Sequence, residues 1–364
     1  MNIRRNFDNV ENQLAVTIMM PFILSGGVKT IVTKLIRGLE LDGFHVNPVV
    51  YYYWTEFANS LKLAQQLYKT SAIIYTGSLP VLGHLIHHKY TKTILFVHGY
   101  FKYELIELLR RGKLLSKLGA VYQMGLWKIC ELSKKLHKFM CLCKTACEVN
   151  GIYENYILLP EFILPDEEIY YEKLRKQLQK EYRDDKEVIK ILTYTSFARS
   201  PRLLNAQHVE YLMKMVSKQI NKNVELIIID PRTKTETIKS IGNITIRYIK
   251  PLPRIRFLKL VSNSDLFIEL NIDEELRDST LEAALLGTPV AKLTHPLFKD
   301  RCDYIEDSLI QAYSFEELAN KISEYIQNIE FYYNTYSNAL RDFVLKFRTW
   351  NYVKRQLVEY LKEA

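Results

Sequence analysis

The chain has 364 residues, 48% of them hydrophobic, and a formal net charge of +9. This length exceeds what one hydrophobic core normally supports, so we expect two domains of ordinary size. No apolar run is long enough to span a membrane, and the first residues lack the apolar core of a signal peptide, which predicts a cytoplasmic protein. The five cysteines do not indicate a disulfide framework, and Cys141, Cys143 and Cys147 have no second ligand pair nearby that would favour a metal site.

In the first half of the chain, short apolar strands alternate with helical patterns. LAVTIMM predicts a strand, the glycine turn PFILSGG follows, and apolar residues from Val28 keep helical spacing until Gly43. Further strands are predicted by HVNPVVYYY, SAIIYTG, TILFVHG, FMCLCKTA and YILLPEFIL. This alternation favours a parallel α/β sheet, where ligands bind at the carboxyl ends of the strands.

A basic segment interrupts this pattern between residues 102 and 138. It carries nine basic residues and three acidic ones, so it holds two-thirds of the net charge. The segment also contains leucines and Trp127, and basic residues combined with apolar ones are typical of a helix that lies on an anionic membrane surface. For a cytoplasmic protein this surface would be the inner face of the membrane. A solvated helix packed on a core explains the pattern equally well. Nucleic acid is a third candidate partner, but no binding motif or stacking segment lies beside the charge.

The second half repeats the architecture. A charged, helix-prone stretch marks the boundary, and later strands are predicted by IKILTYTS, VELIIID, ITIRYI, SDLFIEL and PVAKL. Two α/β lobes of this kind would meet across a cleft. We place the first lobe at residues 1–166 and the second at residues 167–340, with a helical, aromatic tail at residues 341–364.

Residues 273–293, DEELRDSTLEAALLGTPVAKL, combine a polar loop, a short helix, a turn and a strand. Ser279 is a good N-cap residue, and with Glu282 it has the spacing of a capping box, which would by itself explain both residues. The helix would end at Gly287. Alternatively, the amino end of this helix offers free N–H groups to an anionic ligand such as a pyrophosphate, flanked by Glu274 and Glu282.

These features together resemble the retaining glycosyltransferases of the GT-B fold that carry an E-x7-E motif, the family 4-like enzymes. Glu274 and Glu282 have the motif's spacing, LEAALLGTPV resembles the stretch around the second glutamate, and SGGVKTIVTKLIRGLELDGFHV resembles the opening loop and helix. The family usually has a Gly-Phe-Gly-like segment between the glutamates, where this chain has Glu275, Leu276 and Arg277. The resemblance implies two Rossmann-like lobes facing a cleft, the first binding the acceptor and the second the nucleotide-sugar donor. It also implies a carboxyl-terminal helix that packs back on the first lobe.

The resemblance assigns roles to individual residues. Glu282 would hold the ribose hydroxyls of the donor, Glu274 would face the hydroxyls of the donor sugar, and His98 would lie beside the reacting sugar. Other residues would surround the donor phosphates with N–H groups, hydroxyls or positive charge, which is where charge grows as the glycosidic bond breaks. These donor-binding residues are Gly26, Gly27, Arg199, Arg202, Ser279 and Thr280.

The expected chemistry is transfer of a sugar to a saccharide or lipid-linked acceptor with retention of configuration. No pair of carboxylates can be assigned as nucleophile and acid, so a route in which the departing phosphate deprotonates the acceptor fits better. No Asp-x-Asp signature stands out, so neither a metal ion nor a cofactor is expected. The alternatives are an enzyme of the same fold that glycosylates DNA, and a degenerate, non-catalytic scaffold. An oxidoreductase is disfavoured because SGGVK lacks the G-x-G-x-x-G spacing.

Overall fold

The structure is a computed structural model that describes residues 14–21, 27–51, 71–76, 92–97, part of 105–128, 138–179, 188–195, 204–272, 275–296, 298 and 308–363. The chain forms two compact units. One contains Met1–Pro160 together with Trp350–Ala364, and the other contains Glu161–Thr349. The sequence-based boundaries were placed at residues 166 and 340, whereas the compact units change at residues 160 and 349. Among the described helices, none has both the length and the apolar character needed to cross a bilayer.

The first unit is built on a six-stranded sheet in the order β2-β1-β3-β4-β5-β6. All neighbouring strands are parallel. The strands are β1 (Ala15–Pro21), β2 (His45–Tyr51), β3 (Ala72–Tyr75), β4 (Lys92–Val97), β5 (Lys138–Cys141) and β6 (Tyr156–Leu158). Their apolar runs are nearly continuous because a parallel sheet is usually covered on both faces. The strands predicted for this half of the chain are confirmed, although β5 and β6 end at Cys141 and Leu158, earlier than FMCLCKTA and YILLPEFIL predicted.

Helix α1 (Gly27–Leu41) follows the first strand, as predicted. Its apolar residues Ile31, Val32, Leu35 and Leu39 recur at helical spacing and are buried. The chain then turns at Gly43, where a φ of 83° favours a residue without a side chain.

A disulfide joins Cys141 to Cys147, with their Cα atoms 5.8 Å apart. Helix α2 (Lys144–Val149) begins directly after strand β5, so its last turn brings Cys147 back to the end of that strand. Cys143 lies outside the disulfide, at the N-cap of α2, where its sulfur accepts a hydrogen bond from the Ala146 N–H. The sequence analysis, which found no indication of a disulfide framework, did not predict this single disulfide, because the sequence does not reveal this tight strand-to-helix turn.

The end of the chain packs on helix α1 of the first unit. Helix α9 (Trp350–Val353) and helix α10 (Arg355–Lys362) belong to this unit. The Trp350 indole N–H donates to Asp42 at 2.8 Å, and the Lys354 ammonium bonds the other oxygen of Asp42 at 2.5 Å. The buried indole lies directly against Gly38, where a Cβ atom would come within 2.6 Å of the ring. This contact therefore depends on glycine at position 38.

The second unit is built on a seven-stranded sheet in the order β13-β12-β11-β7-β8-β10-β9. The strands are β7 (Val188–Tyr194), β8 (Asn223–Ile229), β9 (Thr237–Ile241), β10 (Ile244–Ile249), β11 (Leu266–Glu269), β12 (Val290–Leu293) and β13 (Ile310–Ala312). All neighbours are parallel except β9, which pairs antiparallel with β10 at the edge. The sequence analysis missed β9, whose residues are mostly exposed, and the three-residue strand β13.

Helices pack on both faces of this second sheet. They are α3 (Pro165–Gln179), α4 (Ala206–Val216), α5 (Arg254–Ser262), α6 (Asp278–Leu286), α7 (Phe315–Gln327) and α8 (Ile329–Phe347). Neighbouring residues of strand β7 point to opposite faces of the sheet. Ile191 packs with α4 and α7 on one face, and Leu192 packs with α3, α5, α6 and α8 on the other. Helix α6 is buried along its whole length after the first turn.

We predict that Gly38→Ala destabilises the first unit, because the new Cβ would overlap the Trp350 ring. Overpacking of this kind costs about 1–3 kcal/mol, which exceeds the helix-propensity gain of up to about 1 kcal/mol from alanine. The measurement is the free energy of unfolding in urea. Gly125→Ala is the matched control, because Gly125 is also helical but has nothing within 4 Å of an added Cβ. Equal stability of the two variants would contradict the close packing.

A second prediction concerns the ion pair between Arg341 of α8 and Glu172 of α3, whose atoms are 2.6 Å apart. Burial alone would raise the pKa of Glu172, but the hydrogen bonds and charges of Arg341 and Lys176 hold it below the usual 4.5. A carboxyl with a lowered folded-state pKa contributes stability above its unfolded pKa, and this stability is lost as pH falls through the folded pKa. Arg341→Gln should therefore lower stability near neutral pH and flatten its loss below about pH 4.5.

Urea unfolding at several pH values measures this difference. Lys176→Gln is the control, because Lys176 is more exposed and lies 3.4 Å from Glu172, so its removal should have the smaller effect. If the two variants show the same pH profile, the role assigned to Arg341 is wrong.

Candidate functional site

The structure describes four of the nine residues that the sequence analysis placed in a site. Gly27 begins helix α1, and Ser279, Thr280 and Glu282 lie in helix α6. The other predicted residues, Gly26, His98, Arg199, Arg202 and Glu274, lie outside the described residues. The geometry of the candidate site therefore centres on α6 and the elements packed around it.

Helix α6 begins two residues earlier than a Ser279 cap requires. Its N-cap is Arg277, with extended backbone and no side-chain capping hydrogen bond, and Asp278 occupies the first helical position. An acidic residue in the first turn suits the positive end of the helix dipole. Ser279 therefore lies inside the first turn, and the predicted N-cap and its capping box with Glu282 are wrong. The predicted end at Gly287 is confirmed, with a φ of 82°.

The side chain of Glu282 is buried and paired with a cation. Its carboxylate accepts a hydrogen bond from the guanidinium of Arg254, the first residue of helix α5. The same guanidinium nitrogen donates to the hydroxyl of Tyr171 in helix α3 at 3.0 Å. The Glu282 side chain is only 4% exposed, whereas that of Arg254 is 59% exposed. A buried carboxylate is thus joined to a cation that also faces solvent.

This arrangement shifts the pKa of Tyr171 and of Arg254. Burial raises the pKa of Tyr171, and the negative charge of Glu282 raises it further, so the phenol stays protonated. Burial by itself would lower the pKa of Arg254, but the charge of Glu282 outweighs it and raises that pKa. The Arg254 guanidinium is therefore a fixed positive charge beside the Glu282 carboxylate.

Thr280 is held by the strand that precedes its helix. Its hydroxyl donates to the carboxylate of Glu269, the last residue of strand β11. The other oxygen of Glu269 accepts the backbone N–H of Asn271 at 3.0 Å. All three residues are buried. The Thr280 hydroxyl thus makes a hydrogen bond that links the start of α6 to the end of β11.

Charged residues fasten the chain just before α6. The Arg277 guanidinium lies 3.1 Å from the Glu275 carboxylate and 3.6 Å from that of Glu161. Lys292 of strand β12 is buried, and its ammonium donates to the Glu275 carbonyl at 2.6 Å. In the family that the sequence resembles, glycines occupy this segment. Here ion pairs and a buried lysine hold the backbone in place.

Sequence reasoning missed several residues of this site, namely Glu161, Tyr171, Arg254, Glu269 and Lys292. Glu269 and Lys292 could have been recognised, because each is a charged residue in an apolar strand, LFIE and VAKL, and a buried charge needs a partner. The others lie on surrounding loops and helices that only folding brings to α6.

Chemically, this site offers a carboxylate and the start of a helix. Glu282 can accept hydrogen bonds from hydroxyl groups, and the first N–H groups of α6 point towards any anion at its amino end. In the described part of the chain, no group of three His, Cys, Asp or Glu side chains is placed to hold a metal ion. The described residues thus suit a ligand that has both hydroxyls and a phosphate.

No protein-family model matches the sequence, and no curated protein sequence matches it. Solved structures do match. HepE from Anabaena, in complex with UDP-glucose, is similar with a TM-score of 0.65 and 13% identity, over 97% of this chain and 100% of that chain. A sucrose-phosphate synthase from Thermosynechococcus elongatus has a TM-score of 0.65 and 12% identity, over 96% and 99%.

The similarity extends to a protein with another named activity. UDP-GlcNAc 2-epimerase from Neisseria meningitidis, bound to UDP-GlcNAc, has a TM-score of 0.54 and 12% identity, over 96% of this chain and 100% of that chain. At such low identities these matches establish the fold. The chain has the two-lobe GT-B fold, with two parallel α/β units and a carboxyl end that belongs to the first.

Proposed function

We propose that this protein is a retaining glycosyltransferase, which moves a sugar from a nucleotide-sugar donor to a saccharide or lipid-linked acceptor in the cytoplasm. The observation that carries this proposal is the buried Glu282 carboxylate in the first turns of α6, at the second glutamate of the E-x7-E spacing. The fold supports the proposal, because HepE was solved with UDP-glucose and the epimerase with UDP-GlcNAc.

In this proposal, Glu282 binds the ribose hydroxyls of the donor. A carboxylate has about four acceptor sites, so the hydrogen bond from Arg254 leaves capacity for hydroxyl groups. Arg254 fixes the orientation of the carboxylate and places a positive charge beside it. Because the guanidinium is also largely exposed, it adds positive charge beside the nucleotide. Arg254 and Tyr171 therefore act as positioning residues for the donor.

The phosphates would bind at the amino end of α6, beside Ser279 and Thr280, with Arg199, Arg202 and the Gly26–Gly27 loop. During transfer, the bond from the anomeric carbon to the donor phosphate breaks, and a bond to the acceptor oxygen forms on the same face. The acceptor proton passes to the departing phosphate, so no protein nucleophile is required. Glu274 and His98 would lie beside the sugar. The fixed N–H groups and cations stabilise the charge that grows on the phosphate, which requires no metal ion or cofactor.

The same fold also houses other activities. The product of a UDP-sugar epimerase is again a nucleotide sugar, and the epimerase among the similar structures makes this an alternative enzyme class. Glycosylation of DNA and a non-catalytic scaffold are the remaining candidates. The scaffold would not need the Glu282 carboxylate for binding, so Glu282 is the residue on which the candidates differ most.

We predict that one of UDP, GDP or ADP raises the melting temperature of the wild-type protein and that Glu282→Gln abolishes most of this shift. A ligand present at 100 times its Kd stabilises the folded state by about 2.7 kcal/mol, which thermal unfolding detects readily. The matched control is Glu316→Gln, which changes an exposed carboxylate in the first turn of helix α7. The control should keep the full shift.

The nucleotide sugar that stabilises the protein is then incubated with candidate acceptors. Release of the nucleoside diphosphate together with a product of unchanged anomeric configuration supports retaining transfer. An altered sugar still attached to the nucleotide would favour an epimerase. If no nucleotide shifts the melting temperature, or if Glu282→Gln responds like the wild type, the proposed donor site is wrong.

A further prediction tests the pairing of Arg254 with Glu282. Arg254→Ala leaves a buried carboxylate without its cation, so it should reduce the free energy of unfolding by about 1–3 kcal/mol near neutral pH. It should also weaken nucleotide binding, because Glu282 is no longer held in place. Arg254→Lys should recover part of both losses by restoring the charge without the planar guanidinium.

A double-mutant cycle with Glu282→Gln isolates the energy of this pair. Urea unfolding provides the four stabilities, and the losses should be strongly non-additive. If the losses in the free energy of unfolding are additive, the two residues do not interact. If Arg254→Ala binds the nucleotide as tightly as the wild type, Arg254 does not position Glu282 for binding.

A further inference from the structure

The basic segment of the first unit presents an apolar stripe to solvent. Every described residue between 105 and 128 is helical. Three large apolar side chains in it are exposed: Leu114 by 73%, Leu118 by 59% and Val121 by 58%. Their spacing of four and three residues places them on one helical face, and the exposed Gly125 and Lys128 continue it.

The opposite side of the same segment is anchored in the first unit. Leu105, Ala120 and Trp127 are buried. Trp127 joins the core cluster that includes Met19, Ile73 and Tyr75, and its ring lies 6.1 Å from that of Phe139. At helical spacing, Ala120 and Trp127 lie on a different face from Leu114. The exposed stripe is therefore a second apolar face, additional to the one that packs on the core.

Positive charge accompanies this stripe. Arg110 and Lys128 are exposed, Lys117 is partly exposed, and no described residue between 105 and 128 is acidic. Residues 102–138 as a whole carry nine basic and three acidic residues. Apolar residues on a basic helix are the combination that holds a helix in the headgroup region of an anionic bilayer.

We propose that this stripe, Leu114, Leu118 and Val121 with the basic residues around it, docks the first unit on a bilayer that contains anionic lipid. The leucines and valine insert among the acyl chains near the headgroups, and the lysines and arginines contact the lipid phosphates. A nucleic acid is a poorer match for this face, because phosphates and bases gain nothing from aliphatic side chains and no exposed aromatic residue lies among the described part of it.

Sedimentation with vesicles tests the proposal. The full-length protein is mixed with vesicles of phosphatidylcholine alone or with added phosphatidylglycerol, and no donor or acceptor is needed. The wild type should bind the anionic vesicles, should bind the neutral ones much more weakly, and should be released by salt. The variant Leu114→Ser/Leu118→Ser/Val121→Ser should bind the anionic vesicles at least about tenfold more weakly.

The matched control is Leu41→Ser/Val50→Ser/Val149→Ser, which removes three exposed apolar side chains elsewhere in the same unit. It should bind like the wild type, and thermal unfolding checks that both variants are folded. If the wild type does not bind anionic vesicles, or if the stripe variant binds as well as the control, the proposal is wrong. Because the assay contains no nucleotide, its result is independent of whether the protein transfers sugars.

Discussion

The burial of helix α6 from Thr280 to Leu286 is the constraint on which the second unit depends. A buried polar group must be hydrogen-bonded, and α6 carries Thr280 and Glu282 into the interior. The Thr280 hydroxyl donates to Glu269 at the end of the adjacent strand, and one oxygen of the Glu282 carboxylate accepts from Arg254. These contacts fix the position of α6 relative to β11 and α5. They also place the Glu282 carboxylate at a defined point in the middle of the helix.

Charged residues fix the position of the segment just before α6. Glycine would allow this backbone to approach a ligand closely, but Glu275 and Arg277 stand there instead. Their ion pair, the contact with Glu161 and the buried Lys292 hold the segment rigidly to the rest of the unit. A donor that binds here therefore meets a preorganised backbone, whose positive and negative groups are already paired with each other.

The first unit depends on a different contact, that between its opening helix and the last residues of the chain. Trp350 packs against Gly38, and Asp42 holds both Trp350 and Lys354. The first unit is thus completed only when residues 350 onwards have joined it, after the second unit has been traversed. The first unit is therefore built from two segments that are far apart in the sequence.

The sequence by itself determined the alternation of strands and helices, the parallel sheets, the two-unit architecture and the end of α6 at Gly287. These depend on local apolar periodicity and on glycine, which can be read residue by residue. It also indicated Glu282, through its spacing from Glu274. The sequence could not determine the start of α6, the disulfide or the partners of Glu282. Arg254 lies 28 positions before Glu282, and Arg341 lies 169 positions after Glu172. Only the tertiary structure decided those contacts, because a hydrogen-bond partner is set by distance in space rather than by separation along the chain.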